Sequence, residues 1–141
     1  MIAVVGEHGE EITTFSVSNA NDVRDLIAIN DTDLLVMTMH NFTGEIFANY
    51  VDTAAHAIGE SVNIPEELVD LNYTLFAGVG YDFYIKNYIG LYGYNIGGEA
   101  VQIINWLNSD IYGDYISSLI IVSPSEFLFV YCNWDDQTIM Q

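Results

Sequence analysis

The amino-acid sequence predicts an α+β fold with a small N-terminal β-sheet and helix, a central helical part, and C-terminal helices with a terminal β-hairpin. Three observations predict it. Of the 141 residues, 51% are hydrophobic, which is enough apolar surface to offset the entropy of ordering a chain. Short β-rich runs lie at both ends of the sequence. Between these runs, apolar residues recur at helical spacing.

Residues 1–60 are predicted to form a β-β-α-β module followed by a further helix. The β-rich runs Ile2–Val5 and Ile12–Val17 flank turn residues, a pattern typical of a hairpin. Serine and asparagine residues just before Asp22 offer N-caps for a short helix. The continuous apolar run Leu34–Met39 then predicts a third, buried strand.

The second helix of this module is predicted from Glu45 to Gly59, where apolar residues recur with the helical period. The polar face of that helix carries Glu45, Asp52 and Glu60. At a rise of about 1.5 Å per residue, these carboxylates would stand roughly 10–12 Å apart. The pattern therefore predicts a charged ridge along one helix.

Residues 61–95 are predicted to be a central helical region. Pro65 fits the first turn of a helix, and Glu66 and Glu67 follow it where the helix dipole favours negative charge. A second helix of this region is predicted over residues 82–91.

Residues 96–141 are predicted to form a C-terminal helix and β-hairpin module. The helix is predicted over residues 99–108, where apolar residues share one face. Leu119–Val122 and Phe127–Tyr131 surround a Ser-Pro-Ser turn, which is typical of a hairpin.

Charge is the strongest signal in the sequence. Twenty acidic residues stand against Arg24 and Lys86, so the formal net charge is -18. Self-repulsion on this scale opposes compaction and indicates either an unusual solvent or a use for the field. Halophilic origin and simple solubility are the two alternatives. Against halophilic origin, the abundant Ile, Asn and Tyr are typical of AT-rich coding, and such coding normally brings many lysines. Against simple solubility, a surface of mixed charges would dissolve equally well, so solubility does not explain the loss of positive charge.

No residue pattern indicates catalysis, a cofactor or a metal. Acid pairs such as Asp31-x-Asp33 arise by chance among twenty acids, and acid–base catalysis needs carboxylates whose pKa values are separated by burial or partners. Gly78-x-Gly80 lacks the third glycine of a dinucleotide-binding loop. The three histidines lack ligand spacing and Cys132 is the sole cysteine. We therefore expect a protein that is not an enzyme and uses no metal or cofactor.

The location expected from the sequence is the cytoplasm, which would be the host cytoplasm for a phage-encoded protein. A single cysteine allows no disulfide within the chain. The first residues carry no basic leader, and no apolar run approaches membrane length.

The acidic residues occur in nearly every segment, which favours an extended charged surface. Duplex DNA carries about one charge per 1.7 Å of its axis, and its protein partners gain affinity by ion pairing. A protein with spread carboxylates can therefore occupy the same basic groove. We expect an inhibitor whose DNA-mimicking surface is formed collectively by Glu45, Asp52, Glu60, Glu66, Glu67, Asp70, Asp110 and Asp114.

Several stretches, in order along most of the chain, carry a resemblance to a known family. Gly-Glu-Glu at residues 9–11 precedes a strand and the segment 21–31, and His-Asn-Phe at residues 40–42 follows the third predicted strand. Residues 64–68 start the central helix. Residues 105–116 form the most specific stretch, which contains Trp106, Leu107, Tyr112 and Gly113. In these features the chain resembles the ArdA antirestriction proteins, DNA mimics of phages and mobile elements.

This resemblance implies an elongated homodimer that mimics bent duplex DNA. Its implied partner is a type I restriction-modification enzyme, whose DNA site it would occupy. The chain departs from the family pattern at Asp114, where the family usually has arginine, and at Asn41, where it often has aspartate.

Two other functional hypotheses also explain the acidic composition. The same mimicry could act on a CRISPR effector or another DNA-binding enzyme. An immunity protein for a toxic nuclease would also present acids to a basic active site. Gene context separates these functions, since a neighbouring toxin gene indicates immunity and a phage early region indicates antirestriction.

Overall fold

The computed structural model describes residues 2–16, 22–55, 57–69, 73–95, 98–108, 116–133 and 138–140. In these ranges the chain forms strands, two three-residue 3₁₀ helices (Glu66–Leu68 and Trp106–Asn108) and no α-helix. The predicted α+β class is therefore wrong, and the protein is almost entirely β.

The strands pair antiparallel with their neighbours in sequence. They are β1 (Ile2–Val5), β2 (Glu11–Phe15), β3 (Asp22–Ala28), β4 (Asp33–Met39), β5 (Ile46–Asp52), β6 (Ala57–Ile64), β7 (Thr74–Phe76), β8 (Phe83–Lys86), β9 (Gly90–Tyr94), β10 (Val101–Asn105), β11 (Ile116–Ser123), β12 (Glu126–Asn133) and β13 (Thr138–Met140).

The chain divides into two compact units, Met1–Pro65 and Glu66–Gln141. The first contains the hairpin β1–β2 and a four-stranded sheet in the order β3-β4-β5-β6. The second contains a sheet in the order β10-β9-β8-β7 and another in the order β11-β12-β13. Both units are thus built from local hairpins, whose ends are close in sequence and inexpensive to bring together.

Strand β4 is the buried centre of the first unit. Leu35, Val36 and Met37 are fully buried, and because successive side chains of a strand point to opposite faces, both faces of β4 are covered. On one face Val36 packs with Val51 of β5. The predicted buried strand over Leu34–Met39 is confirmed.

A polar network lies within this apolar sheet. Asn49 of β5 is fully buried and donates from Nδ2 to the Thr38 hydroxyl at 2.9 Å and to the Val36 carbonyl at 3.0 Å. The Ser61 hydroxyl donates to Asn49 Oδ1 at 2.6 Å. Buried polar groups are costly unless they are hydrogen-bonded, so this network ties β4, β5 and β6 to one register.

The helix predicted from Glu45 to Gly59 is instead part of the hairpin β5–β6. A strand buried on both faces has a continuous apolar run without strict alternation, which a helical pattern can match. The turn after β5 is stabilised by Asp52, whose Oδ1 accepts hydrogen bonds from the backbone N–H groups of Ala54 and Ala55 at 2.8 and 2.9 Å.

The other predicted helices are also wrong. Strand β3 replaces the short N-terminal helix, and β8 and β9 replace the helix over residues 82–91. Strand β10 and the second 3₁₀ helix replace the helix over residues 99–108. The helix start at Pro65 leads into a single 3₁₀ turn rather than a helical region. Isoleucine, tyrosine and phenylalanine are frequent in these segments, and such residues favour strands when both faces can be buried.

The second unit has a core between its two sheets. Tyr84, Leu91, Trp106, Ile116 and Leu119 are buried together, with aromatic rings of β12 packed against them. Some of these aromatic rings pack edge to face, which stabilises the core beyond the burial of apolar area alone. The terminal hairpin predicted around residues 123–125 is confirmed as β11–β12.

Gly78 and Gly80 have a structural role in this unit. Gly80 has φ +96, and a Cβ there would overlap the ring of Pro124 in the β11–β12 turn. The Tyr84 hydroxyl donates a hydrogen bond to the Val79 carbonyl between them. The loop therefore approaches the hairpin closely because it has no side chains at these positions.

Asn49→Ala tests the polar network of the first unit. We expect a loss of about 1–3 kcal/mol in the free energy of unfolding, because Thr38 and Ser61 lose a buried partner. Urea denaturation measures the change, and Asn41→Ala on an exposed turn is the control. Equal stability of the two variants would contradict the importance of the network.

Buried tyrosines predict instability at alkaline pH. Burial raises the pKa of Tyr94, which is 4% exposed and stacked on Phe83 at 5.2 Å, and nearby Glu99 raises it further. The folded state therefore keeps this proton longer than the unfolded state. The stabilisation that this difference gives is complete below pH 10.0, the ordinary pKa of tyrosine. It is lost as the pH rises through the raised pKa of Tyr94. Denaturation across this range should show a smaller loss in Tyr94→Phe than in the wild type, and Tyr88→Phe is the exposed control.

Candidate functional site: the acidic surface

Most carboxylates lie at the surface of the described residues. Fifteen of the twenty acids fall in these ranges, of which twelve are exposed and three, Asp25, Asp33 and Asp82, are half-buried. Each of the two units contains ten acidic residues in its sequence. Both units therefore contribute negative charge.

The two cations of the chain add little free positive charge to this surface. Lys86 is buried in β8, with 6% of its area exposed. Arg24 lies on β3 with its Nε 3.5 Å from a carboxylate oxygen of Asp22, and both side chains are about half exposed. A basic partner therefore meets carboxylates with almost no competing positive charge.

Three carboxylates form a cluster at one end of the four-stranded sheet, and we call Asp31, Asp33 and Asp52 the sheet-end cluster. Asp33 is directly opposite Asp52 in the pairing of β4 with β5. Side chains in such positions have Cβ atoms about 4.5–5.5 Å apart, and like charges there are destabilising. We therefore expect the repulsion between these carboxylates to destabilise the fold.

Hydrogen bonds hold Asp33 and Asp52 of the sheet-end cluster in place. Asn30 Nδ2 donates to Asp33 Oδ2 at 2.8 Å, while Asn30 Oδ1 accepts from the backbone N–H groups of Thr32 and Asp33. The backbone N–H and the hydroxyl of Thr53 both donate to the Thr32 carbonyl at 2.8 Å. These contacts join the β3–β4 turn to the β5–β6 turn, so the carboxylates stand on an ordered support.

Glu45 lies at the opposite end of β5, on a turn that we call the Phe42 turn (residues 40–45). At about 3.3 Å per residue, Glu45 and Asp52 are roughly 23 Å apart along the strand. The predicted helical ridge of Glu45, Asp52 and Glu60 is therefore wrong, since Glu60 lies exposed on β6 and the other two mark the two ends of β5.

Glu66 and Glu67 are exposed on the first 3₁₀ helix of the second unit. The buried side chain of Asn87 fixes this segment, because its Nδ2 donates to the Glu67 carbonyl at 3.3 Å and to the Leu68 carbonyl at 3.4 Å. Its Oδ1 accepts from the backbone N–H of Gly90 at 3.0 Å. The acidic pair is thereby attached to the β8–β9 turn.

Burial raises the pKa of Tyr92, which lies near this acidic pair. The hydroxyl of Tyr92 accepts a hydrogen bond from Gln102 Nε2 at 3.1 Å, which opposes the rise, and the charges of Tyr88 and Glu67 add to it. The Tyr92 hydroxyl therefore keeps its proton to a higher pH than an ordinary tyrosine, because its pKa is raised.

The structure describes only two of the remaining predicted positions, Trp106 and Leu107. Trp106 is buried with its ring 6.0 Å from that of Phe129, so it stabilises the core, whereas Leu107 is exposed on the second 3₁₀ helix. The other predicted positions, Asp70, Asp110, Asp114, Tyr112 and Gly113, lie outside the described residues.

Sequence reasoning missed the sheet-end cluster as a unit. The sequence shows Asp31 and Asp33 as a pair of neighbouring acids, but the pairing of Asp33 with Asp52 depends on the register of two strands. It also missed the exposure of Phe42, whose ring is 92% accessible. The turn residues around Phe42 are the local signal that could have indicated an exposed tip.

Other kinds of site have little support among the residues that the structure describes. A cavity of about 370 Å³ lies on the β11–β12 hairpin, and its described lining has no ionisable side chain: Ser118, Ile120, Phe127, Leu128, Phe129 and Val130. Within the same described ranges, no group of three or more histidine, cysteine or acidic residues is placed to hold a metal ion. No described helix has the length and apolar character needed to cross a bilayer.

Comparisons with known proteins leave the family of this chain open. No family model, no curated protein and no solved structure matches it.

Asp52→Asn tests whether the sheet-end cluster carries electrostatic strain. The asparagine oxygen can still accept the turn hydrogen bonds, while the repulsion with Asp33 is removed, so we expect about 0.2–1 kcal/mol of added stability at low salt. The gain should shrink as salt screens the charges. Urea denaturation at two salt concentrations measures it, with Glu126→Gln on the terminal hairpin as control. A loss of stability in Asp52→Asn would contradict the claim that repulsion between Asp33 and Asp52 destabilises the fold.

Proposed function

We propose that this protein is an acidic DNA mimic that inhibits a DNA-binding enzyme by occupying the DNA site of that enzyme. The observation that carries the proposal is the combination of twelve exposed carboxylates, counted among the residues that the structure describes, with one buried and one paired cation. Such a surface attracts the basic grooves that bind duplex DNA, because ion pairing supplies much of their affinity.

The way the acids are held supports the proposal. Asp33 lies opposite Asp52 in the pairing of β4 with β5, a position in which like charges are destabilising, and hydrogen bonds restrain both. Charges that are fixed before binding lose less conformational entropy on association than charges on mobile side chains. A site with no use for the charge would gain stability by replacing one of these acids.

The favoured target is a type I restriction-modification enzyme, and support for this choice comes from the resemblance to ArdA in segments such as residues 105–116. The proposal includes a homodimer and a cytoplasmic location, as that resemblance implies. It includes no catalytic activity, metal or cofactor.

Charge-removing variants test the proposal on a purified type I enzyme. Glu60→Gln alone should change the half-inhibitory concentration by less than about fivefold, since an exposed ion pair contributes about 0.2–1 kcal/mol. The combined variant E45Q/D52N/E60Q/E66Q/E67Q should weaken inhibition by at least about fivefold, because five such contributions are lost.

Competitor DNA completes this test. Added duplex DNA without a recognition site should relieve inhibition, and the folded state of each variant is checked by circular dichroism. Full inhibition by the five-charge variant would contradict the collective role of these carboxylates. If the wild type leaves the type I enzyme active, the same assay on a CRISPR effector and on a toxic nuclease identifies the target class.

A further inference from the structure

The Phe42 turn exposes an aromatic ring that the fold does not use. Phe42 is 92% exposed at the tip of the turn between β4 and β5. Burying a phenylalanine side chain stabilises a protein, and that gain is forgone here. Turns of this kind are made by glycine, asparagine, aspartate or serine, so an aromatic residue at the tip has no role in forming the turn.

The turn that carries this ring is ordered. His40 N–H donates to the Glu45 carbonyl at 2.8 Å, and Gly44 N–H donates to the His40 carbonyl at 2.8 Å. Gly44 has φ +75, a conformation that glycine adopts without strain. The His40 ring lies 6.1 Å from the ring of Phe42. The aromatic ring therefore projects from a fixed base.

A restrained carboxylate accompanies the ring on the same turn. The Thr43 hydroxyl donates to Glu45 Oε2 at 2.8 Å, and the same hydroxyl lies 3.1 Å from His40 Nδ1. This network fixes the direction of the Glu45 side chain. The turn thus offers a π face and an anionic group within three residues of each other.

We propose that the Phe42 turn is a docking point for an arginine side chain of the partner protein. The guanidinium stacks on the Phe42 ring while Glu45 accepts its N–H groups. This inference rests on the proposed function and adds to it a specific contact within the otherwise collective charged surface.

Arginine fits this turn better than lysine or an apolar group. The guanidinium is planar, stacks on aromatic faces and forms forked hydrogen bonds with carboxylates, whereas the lysine ammonium is a compact and strongly hydrated charge. An apolar partner would leave Glu45 desolvated without a partner, which is costly. A nucleic acid would be repelled by a chain of net charge -18.

Binding of oligo-arginine and oligo-lysine peptides of equal length to the full-length protein tests the inference. Isothermal titration calorimetry measures the affinity for each peptide at low salt. Phe42→Ala should weaken oligo-arginine binding about two- to fivefold and leave oligo-lysine binding unchanged within error, because cation–π stacking favours the guanidinium. Glu45→Gln should weaken binding of both peptides. Ile120→Ala, which also truncates an exposed apolar side chain, is the matched control and should change neither affinity.

The outcomes separate this inference from the proposed function. Unchanged oligo-arginine affinity in Phe42→Ala, or an equal loss for both peptides, overturns the docking point even if the wild type inhibits a type I enzyme. Arginine-selective loss in Phe42→Ala supports the docking point, and it does so even if inhibition of the type I enzyme is absent and the proposed target fails. Circular dichroism verifies that each variant keeps the β-rich fold.

Discussion

Repulsion among twenty carboxylates, offset by only two cations, is the constraint on which the rest of this structure depends. Apolar burial on both faces of the central strands opposes it, as in β4, where Leu35, Val36 and Met37 are fully buried. Most acidic side chains of the described residues lie in turns and at the ends of strands, where water and salt weaken their repulsion. Local hairpins limit the entropic cost of ordering the chain, because each strand pairs with a neighbour in sequence.

The same constraint explains how positive and polar groups are placed. One cation is buried and the other is paired on β3, so the surface keeps its negative field. Two asparagines that are buried inside the units are hydrogen-bonded and have particular importance. Asn49 sets the register of three strands, and Asn87 attaches the acidic segment at Glu66–Leu68 to the β8–β9 turn. Fold and charged surface therefore depend on the same few contacts.

The sequence predicts the parts of this structure whose signals lie in short local segments, and it does not predict the parts that depend on how distant strands pair. The hairpins at both ends have apolar runs on either side of a turn, so local patterns predict them. The segment over residues 45–60 has apolar residues at helical spacing because β5 is buried on both faces, and periodicity cannot separate that strand from a helix. The charge of the surface was evident from composition. The pairing of Asp33 with Asp52 was not, because it is set by the register of two strands, and neither was the exposure of Phe42, which depends on the conformation of its turn.

The central claim is that the carboxylates bind a DNA site as a collective, and the salt dependence of binding tests it most directly. The affinity of the protein for a purified type I restriction-modification enzyme is measured over a series of salt concentrations, next to the affinity of duplex DNA for the same enzyme. A mimic that forms many screened ion pairs should lose affinity steeply on a plot of log affinity against log salt, in the manner of DNA. Affinity that stays constant with salt would contradict the claim, because binding would then rest on contacts other than these charges.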